Sequence, residues 1–451
     1  MDLSSTFVLL LVTLIVIGVL KIISVLHHAF FYWKNKGLPY MPDSFSSFLM
    51  NWKVVLGYTT FSDYCQYMYS YFPNAKYIGI VDFVTPGVLL RDPKLIKEIM
   101  VRDFEHFPDH RPVFDESVDP LFSKSLSALR GDRWREMRNI LSPSFTASKM
   151  KFIFELISKC SRDFVNYLVD HPELCQAIET KGAFRRYATD VIATTAFGIN
   201  VNSMKDRDNE FYVRGVEATK FPTGVLIMIK FIFIKSCPRL AKSLGMSFFP
   251  PATLKFFMKI VGETVKAREE QGIVRPDMIH LLLQARNKEN ASTHKMALMD
   301  IVSQAFIFFL AGFETFSTLI SFVAHELAVN QDIQDRLREE IQQYLTKENA
   351  YALHHDSKYF PNPSKFDPER FSEQNKDNIL PYSYLPFGEG PRKCIGNRFA
   401  LMETKILIAR LLQKFTLKTT EKTVEPIVFS KNEFSLHPVN GFWISLEKRE
   451  T

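Results

Sequence analysis

The stretch Pro386-Phe387-Gly388-Glu389-Gly390-Pro391-Arg392-Lys393-Cys394-Ile395-Gly396-Asn397-Arg398-Phe399-Ala400-Leu401-Met402 decides how the rest of this 451-residue chain is read. It is a glycine-rich loop that delivers one cysteine to the start of a helix, whose apolar side is spaced Ile395, Phe399, Met402, Ile406, Ala409. Glycine at 388 and 390 allows positive φ and close backbone approach, so the loop is expected to turn tightly and aim N–H groups at the sulfur. A helix N-terminus adds positive potential there, which predicts a depressed Cys394 pKa and an anionic sulfur suited to a metal. The bland alternative is a buried free cysteine at a helix start.

Phe387, Gly390, Arg392, Cys394 and Gly396 resemble, position by position, the Phe-x-x-Gly-x-Arg-x-Cys-x-Gly signature of the cytochrome P450 superfamily. The resemblance implies that these five residues contact haem b and that Cys394 is the proximal iron ligand, its electron push favouring O–O cleavage. Trp134 and Arg138 lie one turn apart on a predicted helix over 129–141. Unaided, such a pair reads as packing plus a solvated charge; the resemblance implies that it holds a haem propionate, for which a planar guanidinium is suited.

The longest helical pattern, Met299 to Asn330, carries Ala311-Gly312-Phe313-Glu314-Thr315 at its apolar centre. Polar side chains placed there cost free energy unless used or paired. Small residues make room for a flat group, and a hydroxyl can bond back to the i−4 carbonyl or hold a water; a plain core helix with Thr315 so bonded is the competing reading. The motif resembles the family's Ala-Gly-x-Glu-Thr oxygen-activation site, which implies Thr315 as a proton-relay residue, Glu314 as its acidic neighbour, and Ala311 and Gly312 beside the cofactor. Phe316 stands where many members carry a second hydroxyl.

Bulk properties agree with a large core. The chain is 46% hydrophobic with 41 Phe against 4 Trp. Its five cysteines are odd in number and lack zinc spacing, which favours a reducing compartment over a disulfide framework. A net charge of +7 without long basic runs gives no support to nucleic-acid binding but suits anionic lipid or an acidic partner.

Phe7 to Leu26 is apolar for about twenty residues, enough to span a bilayer. It runs on into His27, His28, Phe30, Phe31, Tyr32 and Trp33, expected to be an aromatic interfacial belt, so it reads as a retained anchor rather than a cleaved signal. Lys34 and Lys36 after it orient the rest to the cytoplasm, and Pro39 and Pro42 suggest a stiff link. Short β-branched runs at Lys76–Val81 and Gly87–Leu90 predict a small sheet. Helices are expected over 152–170, 182–197 and 330–345, with terminal strands at Val424–Phe429 and Gly441–Leu446. A second apolar block, Phe221–Ile234, reads equally as a buried helix or a membrane-dipping surface. Arg275-Pro276-Asp277 should start a helix and Lys288–His294 is a polar connector.

Between Ala350 and Tyr351 the family's Glu-x-x-Arg helix has no counterpart; that spacing occurs only at Glu389–Arg392, inside the cysteine loop. Arg370, in Phe366-Asp367-Pro368-Glu369-Arg370-Phe371, would then be left without its usual partners, a costly state for a buried cation. The expected fold class is mainly α with a minor β region, the cytochrome P450 fold, plus one N-terminal transmembrane helix. Residues 1–36 form the anchor and its flank, and 37–451 the haem-thiolate domain, with an internal deletion suspected near 350/351.

By resemblance to insect microsomal members, the expected activity is monooxygenation of a lipophilic xenobiotic or endogenous substrate at the cytosolic face of the endoplasmic reticulum. Electrons would come from an NADPH-dependent cytochrome reductase, with cytochrome b5 as a second donor, docking near Arg133, Arg135, Lys393 and Arg398. The alternative is an impaired product of an alternative transcript or incomplete gene model.

Overall fold

In the computed structural model of the chain, residues 3–40, 44–82, 85–220, 224–275, 277–287, 296–340, 351–431 and 436–450 are described. The proposed connector at 288–294, residues 341–350 before the junction, Pro42 and Pro276 lie outside them.

The apolar N-terminal run folds as one helix, α1 (Leu3–Phe31), with Leu9, Val12, Val16, Ile17, Leu20 and Ile23 exposed. Trp33 departs from the expected belt. Its ring lies over Gly79, where an added Cβ would come within 2.7 Å, and its indole N–H donates to Ile80 O at 2.8 Å. The amphipathic ring is thus satisfied by protein, and the segment after α1 is docked: Gly79 N–H donates to Pro39 O. The strands it meets, β1 (Tyr77–Asp82) and β2 (Thr85–Leu90), form the expected small sheet, an antiparallel pair.

The body is helical, as expected. Described here are α2 (Gly131–Leu141), α3 (Ala147–Asp170), α4 (Thr180–Ile192, after the short strand β3, Ile178–Glu179), α5 (Glu210–Thr219) and α6 (Val225–Ser236). They are followed by α7 (Pro251–Gln271), α8 (Met278–Asn287), α9 (Leu298–Val329), α10 (Gln331–Glu340) and α11 (Asn397–Lys414). Strands β4 (Phe415–Lys418) and β5 (Trp443–Lys448) pair antiparallel, and β5 also pairs β3. Val424–Phe429 makes no strand; Phe429 forms a single bridge to Pro438.

Helix α9 runs between two cores. On one flank Phe306, Phe309 and Phe313 pack with Phe197, Phe211 and Phe257. On the other, Phe316, Ile320 and Ala324 pack with α3, α4, α11 and the β4–β5 pair. Each such ring removed from water contributes about 1.5–3 kcal/mol. Polar side chains fix the ends: buried Gln304 bridges Lys124 O and Leu126 N–H, and buried Gln334 takes Leu417 N–H while donating to Leu417 O. Among the described residues, α9 is the helix long and apolar enough to cross a membrane, but its packing is that of a core helix.

Two further expectations change. Helix α6 is buried on one side only: Met228 and Ile234 pack inward while Val225, Leu226, Ile229 and Ile232 are exposed. Arg370 is not a stranded buried charge. Its guanidinium is partly exposed and donates to the carbonyls of Pro361, Asn362 and Lys365, so carbonyl dipoles and water replace a carboxylate partner.

Candidate active site

The cysteine loop closes on itself. Cys394 N–H donates to Phe387 O at 2.9 Å, Lys393 N–H to Gly390 O at 3.0 Å, and Gly388 N–H to Leu385 O at 3.2 Å. Gly388 and Gly390 have φ of 68° and 75°, the left-handed region where a side chain is strained. Gly390 is required for a second reason: a Cβ there would stand 2.0 Å from Met100 O, so the loop lies directly against that backbone.

Gly396 caps α11 and approaches the Phe145 ring. Cys394 itself is open to solvent rather than sealed in the core. Its thiol pKa runs opposite to the sequence expectation. Partial burial by the surrounding loop pushes it up, outweighing the Gly396 N–H, which pulls it down as expected of the loop, and the Arg138 charge, which was expected at a propionate instead.

Trp134 and Arg138 both reach this loop, though not as a simple pair. Arg138 donates to Lys393 O at 2.7 Å, next to the cysteine. The Trp134 ring carries the Arg392 guanidinium 4.2 Å from its centroid. Arg392 also donates to Asp109, Leu129 O and Pro108 O, while Asp109 accepts Gly131 N–H at the head of α2. Asp109 lies in no motif, and its part in the site was invisible in the sequence.

The only exposed residues of α9 are Ala311 and Thr315, one turn apart at its middle. They share a helix face with Phe308, whose ring stacks on Phe145 at 5.6 Å. Because Phe145 also touches Gly396, this face turns toward the cysteine loop. Thr315 Oγ1 donates to Ala311 O, the back-bond foreseen as one alternative.

Gly312 and Glu314 point elsewhere. A Cβ on Gly312 would meet Ile192 Cδ1 at 2.7 Å, so this glycine makes room for α4. Glu314 is clamped by two α4 cations, Lys181 Nζ at 2.8 Å and Arg185 Nη2 at 2.7 Å. Burial works to raise its pKa, but these charges hold its carboxyl below the ordinary value. It is a bound anion, held on the α4 side of the helix.

These residues suit a haem. Among the described residues no cluster of three His, Cys, Asp or Glu side chains could hold a metal alone. A single accessible sulfur, as at Cys394, is compatible with a haem, which would bring the remaining donors itself. The accessible small-residue face of α9 and the guanidinium groups on α2 and the loop supply a flat wall and partners for carboxylates.

A family profile described as Cytochrome P450 matches residues 55–351 and 348–444. Cytochrome P450 9e2 of Blattella germanica is 40% identical over 88% of this chain and 90% of its own. Cytochrome P450 9b2 of Drosophila melanogaster is 35% identical over 83% and 86%, and cytochrome P450 6j1 of Blattella germanica 32% identical over 93% and 94%. The chain belongs to the cytochrome P450 family. By family it is a haem b monooxygenase, and the relatives compared are insect proteins.

Proposed function

We propose that the protein is a membrane-anchored monooxygenase of lipophilic small molecules, xenobiotic or endogenous, in which Cys394 is the iron ligand. The observation that carries the reading is an open cysteine in a glycine-shaped loop, linked through Gly396, Phe145 and Phe308 to the helix face that bears Ala311 and Thr315. When bound, haem b supplies reductive O₂ activation, one oxygen atom entering a C–H or C=C bond and the other leaving as water.

The chain's own residues do the rest. Gly396 N–H and Arg138 temper charge at Cys394 Sγ. Trp134, Arg138 and Arg392 would hold the propionate edge, with Phe387, Gly390 and Gly396 shaping the loop. Ala311 leaves room, and Thr315 Oγ1, by releasing Ala311 O, holds a water or passes a proton. Glu314 braces α9 against α4.

Residues 1–36 act as the anchor and 37–451 as the catalytic domain on the cytosolic face of the endoplasmic reticulum. The apolar length of α1 and the basic Lys34 and Lys36 behind it support this. The exposed side of α6 fits a surface resting in lipid, where apolar substrates concentrate. A reductase, with cytochrome b5 as a second donor, would meet the side near Cys394. Of the four basic groups expected there, Arg133 is paired with Glu116, Arg135 with Glu105 and Asp132, and Lys393 with Glu389, while Arg398 has no ion pair among the described residues.

A second reading, a product impaired by an internal deletion, draws support from the family match itself, whose two parts meet at 348–351. The alignment with the 9e2 relative spans 481 positions but uses 88% of 451 residues, about 397, so some 80 positions find no counterpart here. Genomic sequence at the 350/351 junction, read for a skipped exon, separates these two readings.

The proposed function is tested by variants in matched membranes with reductase. Cys394→Ser should lose the thiolate signature of the reduced carbon monoxide complex. Thr315→Ala should keep that signature but divert NADPH consumption into peroxide and water, slowing product formation by about 10²–10⁴. A wild-type spectrum from Cys394→Ser would overturn the assignment.

A further inference from the structure

Resting on the reading of Cys394 as the iron ligand, we propose that His354 is a positioning residue for it, fixing the start of the cysteine loop through the hydrogen bond its Nε2 accepts from Leu385 N–H. That bond is 3.0 Å long. From it the path to the cysteine is short: Leu385 O takes Gly388 N–H at 3.2 Å, and Phe387 O, one residue back, takes Cys394 N–H at 2.9 Å. A displacement at Leu385 is therefore passed through the tight glycine turn to the residue carrying the sulfur.

The imidazole is held for this task. It lies 4.7 Å from the Tyr384 ring and 5.5 Å from Phe360, and is 9% exposed. Its neighbour Leu353 packs with Tyr69, Ile96, Met100 and Leu385, joining the histidine to the same Met100 backbone that Gly390 abuts. Tyr69 OH donates to Asp356 at 2.9 Å and pins the segment from the other side. An accepting Nε2 requires the neutral ring with its proton on Nδ1. Burial, with the nearby His355, pushes the His354 pKa down to about 4 and preserves that form.

A ligand carried on a loop needs such support, because productive geometry is held to roughly 0.5 Å by neighbours whose own positions are locked. Nothing in the spacing of His354 and the loop motif shows this contact.

The test uses the full chain in detergent, with haem content and the thiolate fraction of the reduced carbon monoxide spectrum read together. His354→Ala should lower the thiolate fraction per haem several-fold, and His354→Gln, whose amide oxygen can take the same N–H, should recover most of it. Phe164→Leu, which loosens the α3–α4 core and touches neither His354 nor the loop, should leave the fraction unchanged. A wild-type fraction in His354→Ala, a Gln variant no better than Ala, or an equal loss in Phe164→Leu overturns the proposal. Cys394→Ser is the reference: if it keeps the thiolate signature, the ligand assignment itself has failed, whatever His354 does.

Discussion

Glu403 lies nine residues beyond Cys394, on α11, and is 1% exposed. Its Oε1 finds no hydrogen-bond partner among the described residues, and burial raises its pKa well above the ordinary carboxylate value. The folded state therefore keeps a proton that the unfolded chain releases near pH ~4.3. Its stability contribution is present below that pH and is lost as pH rises toward the folded pKa, with a slope of at most about 1.4 kcal/mol per unit. Glu403→Gln should remove the slope, so denaturant midpoints of variant and parent should diverge between pH 5 and pH 8, the variant being the more stable at pH 8. Parallel pH profiles would show that Glu403 is not held protonated. At the same scale, Cys394 shows why a motif does not set a pKa: the Gly396 N–H and the Arg138 cation lower it, yet desolvation outweighs them.

Between elements, the α4–α9 contact decides how the catalytic helix presents its open face. Gly312 admits Ile192, and Glu314 receives Lys181 and Arg185, so both residues adjoining Ala311 and Thr315 in the motif hold the helix against its neighbour. Lys181 is itself buried. Lys181→Met leaves Glu314 with Arg185 alone and should cost about 3 kcal/mol, the low end for breaking a buried pair. Thermal unfolding checks this, and a variant as stable as the parent would mean that Arg185 suffices. The Ala-Gly-x-Glu-Thr pattern was legible because helical periodicity is local; which of its residues stay exposed and which face α4 was not, because that depends on the rotation at which two helices cross.

For the whole molecule, the proposed lipid contact involves two surfaces far apart in sequence. Helix α1 exposes apolar side chains along much of its length, and α6 exposes Leu226 at 82% and Ile229 at 54%. A chain lacking residues 1–36 should still sediment partly with phosphatidylcholine vesicles, and adding Leu226→Glu with Ile229→Glu should release it. Complete release by the truncation alone would remove α6 from the membrane surface. The segment after the junction is likewise integrated: His354 meets Leu385, and Asp356 meets Tyr69 of the N-terminal region.

The sequence by itself determined the cysteine loop, the helical body, the β1–β2 pair and the family, because glycine conformations, helix starts and hydrophobic periods are properties of neighbouring residues. Tertiary structure alone decided the partners. Arg138 reaches Lys393 O across 255 residues, Arg185 reaches Glu314 across 129, and Arg392 comes to rest on Trp134. It also decided that Arg370 settles on carbonyls and that α6 keeps one face outside. Such pairings depend on where packed helices bring distant side chains and on how much water is excluded there, and neither quantity is written in the spacing of residues along the chain.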